Sequence, residues 1–243
     1  MALLPMLASL VDAPLDDPQL VYEPKYDGIR AIVEVAPGGP VHLWSRLGNE
    51  KTGQFPEITA ALTKWSSRLE ECVVLDGEIV ALAPDGTPAG FQQLQGRIHL
   101  LEPGANAGGA RTALIAFDLL QLGKRNLREL PLSDRRAALE QLFGRSTNAV
   151  LRISEQVRGD GRALYKRALE SGWEGLIAKR ADSRYRPGKR TPDWRKLKIV
   201  HEQEFVIGGW TEPRQTRSFF GALLIGVYDR GHLVYSGHIG TGF

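Results

Sequence analysis

Four short, β-rich apolar runs stand in the first half of this chain, at Ala31 to Val35, Val41 to Ser45, Cys72 to Leu82 and Ala113 to Leu119, with Gly and Pro punctuation between them. Runs of that length and makeup form strands. The segments between and after them carry helical signals instead. Pro56 to Arg68 places apolar residues at helical spacing behind a proline at the first helical position, Ser133 to Phe143 opens with an N-cap residue and an acid, and Gly161 to Ser171 is a third helix. Strands and helices thus mix without strict βα alternation, which predicts an α+β domain built on antiparallel sheet rather than a doubly wound fold. Gly104 to Gly109 reads as a surface loop, and no internal repeat or heptad is present.

After Val200 the pattern changes. Glu204 to Trp210, Gly221 to Asp229 and His232 to Ile239 are three strand-like runs with turns between them and no helix signal. The expected organisation is a first domain over residues 1–200 and a small β module over 201–243. So small a module buries too little surface to stand alone, so it either leans on the first domain or is the truncated start of a larger one.

Composition narrows the function classes. With 42% apolar and 24% charged residues, the 243-residue chain can bury a sizeable core and is not disordered. No apolar run reaches the length of a membrane span, and the stretch after Met1 lacks the basic start of a signal peptide. One cysteine, Cys72, cannot form an internal disulfide, so a reducing, cytoplasmic compartment is expected, with Cys72 a small buried hydrophobe. Net charge is only +3, but Arg180 to Val200 holds eight basic residues against two acidic ones, with Tyr185 and Trp194 among them. This strip reads either as a phosphate-facing surface or as a solvated loop.

Several chemistries lack their residues. Gly188-Lys189-Arg190 is not followed by the Ser or Thr of a P-loop, and the five histidines and one cysteine have no zinc spacing. Four other segments are informative. Glu23-Pro24-Lys25-Tyr26-Asp27-Gly28-Ile29-Arg30 sets a lysine between two carboxylates. A lysine is nucleophilic only as the neutral amine, so neighbouring cations or a metal held by Asp27 would be needed to lower its proton affinity; an exposed ion pair in a turn is the alternative. Ser45-Arg46-Leu47-Gly48 offers a guanidinium to a phosphate or ribose, or is a plain turn. Asp76-Gly77-Glu78 interrupts one apolar run and Phe117-Asp118 closes another; a buried Glu78 needs a partner, whereas a bulge would turn it to solvent. Glu174 to Lys179 is followed by Trp194-Arg195-Lys196-Leu197-Lys198, where strand geometry puts Lys196 and Lys198 on one face.

Taken in order, these segments resemble the motifs of the covalent nucleotidyltransferase superfamily, specifically ATP-dependent DNA ligases of the bacterial end-joining type. Lys25 to Arg30 is similar to the Lys-x-Asp-Gly-x-Arg motif, Ser45 to Gly48 to Ser-Arg-x-Gly, and Asp76 to Glu78 to Asp-Gly-Glu; Phe117-Asp118, Glu174 to Lys179 and Trp194 to Lys198 match the next three. The string Tyr185 to Arg190 and the stretches from Phe220 and to Phe243 resemble the end-joining branch in particular.

The resemblance implies a nucleotidyltransferase domain with ATP-grasp-like antiparallel sheets, followed by part of an OB-fold β-barrel. It implies that Lys25 attacks ATP to form a lysyl-AMP adduct, which is passed to a 5′-phosphate in nicked or broken duplex DNA. Glu23 would read the adenine amino group, Phe117 would stack on the base, and Arg46 and Glu78 would hold the ribose. Arg30, Lys196 and Lys198 would neutralise phosphate, and Asp27 and Glu174 would bind Mg²⁺ or Mn²⁺. A monomer in the bacterial nucleoid, recruited by a Ku-like end-binding protein, is the implied setting. The family's OB-fold ends in a further basic motif that these 243 residues do not include, so slow self-adenylation is expected. An RNA ligase, a capping-type guanylyltransferase and a non-catalytic nucleic-acid-binding module are the rival readings.

Overall fold

A strand that alternates its side chains between two apolar layers can hold a sheet between helices on one side and a second sheet on the other. That is the arrangement of the first part of this chain in the computed structural model, which describes residues 3–98, 110–144, 148–199, 203–212 and 221–240. In chain order the elements are β1 (Leu7–Ser9), β2 (Leu20–Pro24), β3 (Ile29–Val35), β4 (Val41–Ser45), α1 (Pro56–Ser66), β5 (Val73–Leu82) and β6 (Pro88–Ala89). They continue with α2 (Gln95–Ile98), β7 (Arg111–Leu122), β8 (Arg125–Asn126), α3 (Leu132–Phe143), β9 (Leu151–Ile153), β10 (Val157–Arg158), α4 (Arg162–Glu170), β11 (Gly175–Arg180) and β12 (Arg190–Lys198). Last come β13 (Val206–Trp210), β14 (Leu223–Asp229) and β15 (His232–Ile239).

Chain contacts divide the molecule into two units, Met1–Ile199 and Val200–Phe243. The first unit holds two sheets. One runs β4-β3-β5-β7-β8, with β6 on β5 and β9 on β7; the other runs β1-β12-β11-β2-β10. Most pairings are antiparallel, with β1 on β12 and β9 on β7 the parallel exceptions among the described residues. The α+β expectation therefore holds.

Alternation explains the layers. Ala31, Val33 and Val35 of β3 and Leu75, Ile79 and Ala81 of β5 pack with Ile58, Leu62 and Trp65 of α1 and Leu139 and Phe143 of α3. Ile32, Phe117 and Leu120 face the other way, onto Met6, Tyr185 and Trp194 beside the second sheet. The second sheet's far face, Leu20, Tyr22, Leu176 and Ala178, is covered by Leu164 and Ala168 of α4. Hence β5 turns Asp76 and Glu78 toward the space between the sheets, and β11 and β12 turn Lys179, Trp194 and Lys196 toward it from the other side.

Two expectations are corrected. Cys72 is exposed, one residue before β5 begins and the burial of Val73 starts. Ser133 is not the cap of α3: the helix begins at Leu132 with Pro131 at the N-cap, and the Ser133 hydroxyl bonds Asp134 at 3.2 Å. An extended proline, which has no N–H to leave unsatisfied, suits that boundary.

The second unit contains the antiparallel order β13-β14-β15, with β14 joined to β15 beyond the pair Asp229↔His232 by a tight turn in which Arg230 and Gly231 both have positive φ. Gly104 to Gly109, His201, Glu202, Phe220 and the final Thr241 to Phe243 lie outside the described residues. No described helix is long and apolar enough to cross a membrane.

Candidate active site

Between the two sheets of the first unit lies a cavity of about 560 Å³. Glu23, Lys25, Arg30, Arg46, Glu78, Phe117 and Lys196 all line it; Asp27, Glu174 and Lys198 do not. Segments far apart in sequence meet here because β3, β5 and β7 supply one wall and β2, β11 and β12 the other.

Lys25 sits one residue beyond β2. Its backbone N–H donates to the Gly175 carbonyl at 2.9 Å, extending the β2–β11 pairing, and its Nζ is paired with the Glu174 carboxylate. This close join demands glycine at 175, where φ is +137° and a Cβ would lie 2.0 Å from the Leu197 carbonyl oxygen. Gly28 is tight for a different reason: a Cβ there would come within 2.2 Å of the Ile79 carbonyl oxygen, so the turn after the lysine lies flat on β5.

Glu23 is 2% exposed and fully engaged by protein on three sides. Its Oε2 accepts from Lys179 Nζ at 2.8 Å and from the Ser154 hydroxyl at 3.3 Å, and its Oε1 accepts from Gln156 Nε2 at 2.8 Å. A carboxylate has about four acceptor positions, which leaves one for a ligand. Lys179, also a lining residue, lies 4.4 Å from the Phe117 ring centroid and 4.3 Å from that of Trp194. Burial lowers its proton affinity, and Glu23 opposes that. Phe117 is 6% exposed and carries Arg30 at 4.6 Å as well as Lys179.

Arg30 is held by Asp76 through two parallel bonds, Nε to Oδ1 at 2.5 Å and Nη2 to Oδ2 at 2.6 Å. Burial alone would weaken its charge; the adjacent carboxylate outweighs burial and keeps the guanidinium ionised. Glu78 has no such partner. Burial pushes its carboxyl up to about 7, against the pull of Arg30 and with a further push from Asp76. Arg46 is exposed in the turn after β4, which Gly48 closes at φ +78° with its N–H on the Ser45 carbonyl. Lys196 has its charged form disfavoured by burial and then by Lys25, Arg190 and Lys198. Lys198 follows on the same face of β12 and is exposed.

The two acids assigned to a metal are placed differently. Asp27 Oδ2 accepts the Phe91 N–H at 2.9 Å, and Glu174 pairs with Lys25. Among the described residues no three His, Cys, Asp or Glu side chains cluster as a metal cage. Such a donor set does not suit an ion bound by protein alone. It suits Mg²⁺, which takes one or two carboxylates and completes its shell with water and substrate phosphate.

The basic strip divides in two. Arg180 is bound to Asp182 at 2.6 Å, Arg184 to Glu129 at 3.4 Å and Arg186 to Asp193 at 3.9 Å, whereas Arg190 and Lys196 line the cavity. The sequence assigned no role to Lys179 or Gln156, and it placed Arg190 and Trp194 only within the basic strip. Lys179 was legible, being two positions from Ile177 on the inward face of a strand; Gln156 carries no local signal.

Residues 5–198 match the ATP dependent DNA ligase domain. Over 242 residues the chain is 40% identical to the multifunctional non-homologous end joining DNA repair protein LigD of Mycobacterium tuberculosis, covering 99% of this chain and 30% of that protein. It is 35% identical over 245 residues to DNA ligase C of the same organism, covering 98% and 66%. The solved structure of mycobacterial DNA ligase D complexed with ATP and MES matches with a TM-score of 0.69 at 38% identity, covering 99% of this chain and 73% of that one. The fold of the first unit is therefore the ligase nucleotidyltransferase type, and the β13-β14-β15 sheet is consistent with an OB-like fold. The chain spans less than a third of the length of the LigD relatives. Because the matched stretch runs from just before β1 to the last residue of β12, and so takes in every wall of the cavity, the chain belongs to the family of ATP-dependent DNA ligases.

Proposed function

We propose that this chain carries the catalytic centre of a DNA ligase that works through a lysyl-AMP adduct, sealing nicks or ends in duplex DNA. The observation that carries the reading is the position of Lys25 on the cavity wall, in contact with Glu174 and on the same cavity as Glu23, Phe117, Arg30 and Lys196. Glu174 is in reach to take the ammonium proton. The neutral amine then attacks the α-phosphorus of ATP, an N–P bond forms, the α–β phosphoanhydride breaks and pyrophosphate leaves. AMP passes next to the 5′-phosphate of a nick, and the 3′-hydroxyl displaces it. Most of the work is charge neutralisation and positioning, for which Arg30, Lys196 and Lys198 supply cations.

Adenine fits the remaining acceptor of Glu23, because its exocyclic amino group donates where the oxygen of guanine would be repelled. Phe117 would contact the base, and Arg46 and Glu78 the ribose. Asp27 and Glu174 are the residues that would hold Mg²⁺ or Mn²⁺, which supplies charge neutralisation at the phosphates. The first unit would serve as the adenylation domain and the second as part of the DNA-binding OB-fold. The end-joining names of the LigD relatives support recruitment by a Ku-like end-binding protein. A cytoplasmic monomer is the setting proposed along with this reading.

Intact mass before and after ATP with Mg²⁺ or Mn²⁺, and again after pyrophosphate, tests the chemistry. Wild type is expected to gain one AMP and return it to pyrophosphate, and Lys25→Ala to gain none. AMP on the Lys25→Ala chain would move the nucleophile elsewhere. A wild-type chain that neither takes up AMP nor seals a pre-adenylated nick would overturn the reading.

A further inference from the structure

We propose that Tyr185 is a positioning residue for Arg30, holding through its hydroxyl the two groups that together fix the guanidinium on the cavity wall. Those groups are the Asp76 carboxylate and the backbone of Met6. The inference rests on the nucleotide-binding reading of the cavity.

Four contacts close a ring. The Met6 N–H donates to the Tyr185 hydroxyl oxygen at 3.0 Å, and that hydroxyl donates to Asp76 Oδ2 at 2.6 Å. Arg30 Nη2 donates to the same Oδ2 at 2.6 Å and to the Met6 carbonyl at 3.2 Å. Tyr185 thereby uses its hydroxyl as both donor and acceptor, and it joins three parts of the chain distant in sequence: the segment leading into β1, the inward face of β5, and the Tyr185 to Lys189 loop before β12. Asp76 and Met6 are 0% exposed and Tyr185 is 2% exposed, so water does not compete for these bonds.

Geometry makes Arg30 the beneficiary. Arg30 alone of the ring lines the cavity, and its guanidinium rests 4.6 Å from the centroid of the Phe117 ring. Asp76 sets the plane of that guanidinium through two bonds, and an aspartate that pivots carries the arginine with it. The Tyr185 hydroxyl blocks the pivot: Oδ2 accepts from it, while the phenol ring is held against Trp194 at 5.8 Å and its backbone N–H against the Arg128 carbonyl at 2.8 Å. A preset cation costs less to align with a developing phosphate charge than one that must be gathered from several rotamers.

The test is the rate constant of Lys25 adenylation at saturating ATP and Mg²⁺, read by intact mass for wild type, Tyr185→Phe, Arg30→Lys and the double variant. Losing one hydrogen bond to a charged group predicts a slowing of about tenfold for Tyr185→Phe. In the double variant the rate is expected to equal that of Arg30→Lys alone, because Tyr185 acts only through Arg30. A merely structural tyrosine would slow the Arg30→Lys chain by the same factor as the wild type, and that additivity would overturn the inference, as would a Tyr185→Phe chain as fast as wild type. Site-specific 3-fluorotyrosine at 185 keeps the shape and strengthens the donor, so the contact is read even if the phenylalanine variant fails to fold. Its rate is expected to change in the wild-type background only; a change of the same factor in both backgrounds, or in neither, counts against the inference. A wild-type chain that never carries AMP would overturn the parent reading, whereas wild-type adenylation with additive variants overturns this inference alone.

Discussion

Glu78 is the residue whose ionisation the fold alters most usefully for experiment. In the unfolded chain its carboxyl titrates near the ordinary 4.5, and burial raises this to about 7 in the folded protein. Between those values the folded state keeps a proton that the unfolded state has released, so this contribution to stability falls as pH rises and is gone above about 7. Glu78→Gln has no such proton. The Tm of wild type relative to Glu78→Gln is therefore expected to drop across that window by on the order of 10 °C, the response of a chain this size to about 3 kcal/mol. Thermal melts of both proteins across the range check it; a constant difference would place Glu78 at its ordinary value. Sequence alone marked Glu78 as a carboxylate needing a partner, because the acid interrupts an apolar strand. It did not reveal that Arg30, the nearest cation by motif, is already bound to Asp76 on the same strand face. Nor did it reveal that Glu23 is shared by Lys179, Gln156 and Ser154, since those contacts join positions more than 130 residues apart.

At the scale of elements, α3 is tied to β7 by a fully buried ion pair, Arg135 with Asp118, in which Nε and Nη2 each donate to one carboxylate oxygen at 2.8 Å. Arg135 also donates to the Leu130 and Ser183 carbonyls, so one side chain joins the helix, the strand and two loops. Burial raises the Asp118 carboxyl, and Arg135 opposes the shift. Arg135→Met leaves a buried carboxylate without its partner and is expected to cost about 3–5 kcal/mol, whereas adding Asp118→Leu recovers most of the loss because the uncompensated charge is gone. Urea midpoints of the two variants against wild type decide it; equal midpoints for single and double variant would mean that the carbonyl contacts, not the ion pair, matter. Arg135 itself gave no signal in the sequence, lying in an arginine pair that reads as the polar face of a helix. The strands that were legible share a property: β3, β4, β5 and β7 are apolar over several residues and bounded by turns. β1 was not legible because three residues have no periodicity and its partner β12 lies some 180 positions away. β2 was hidden by continuous burial, with Pro24 at its end and Glu23 inside it.

For the whole molecule, net charge predicts little and its placement predicts more. A surplus of +3 spread over 243 residues would bind duplex DNA weakly. The fold changes this by neutralising one part of the basic strip and leaving another free. Arg180 and Arg184 face acids on the surface, while Arg46, Arg190 and Lys196 stand on the cavity wall with Lys198 beyond them on the same strand face. Four such cations displace about as many counterions from a nicked duplex, so the log of the association constant is expected to fall with log salt at a slope of about −3 to −4, without preference for base sequence. Replacing Arg46 or Lys198 with Ala is expected to flatten the slope by about 1 each, while Arg180→Ala and Arg184→Ala leave it nearly unchanged because those cations already have partners. Fluorescence anisotropy of a labelled nicked duplex across a salt series measures every case. A flatter slope for Arg184→Ala as large as that for Lys198→Ala would mean that the surface ion pairs give way to DNA, and that the free strip is longer than its contacts indicate.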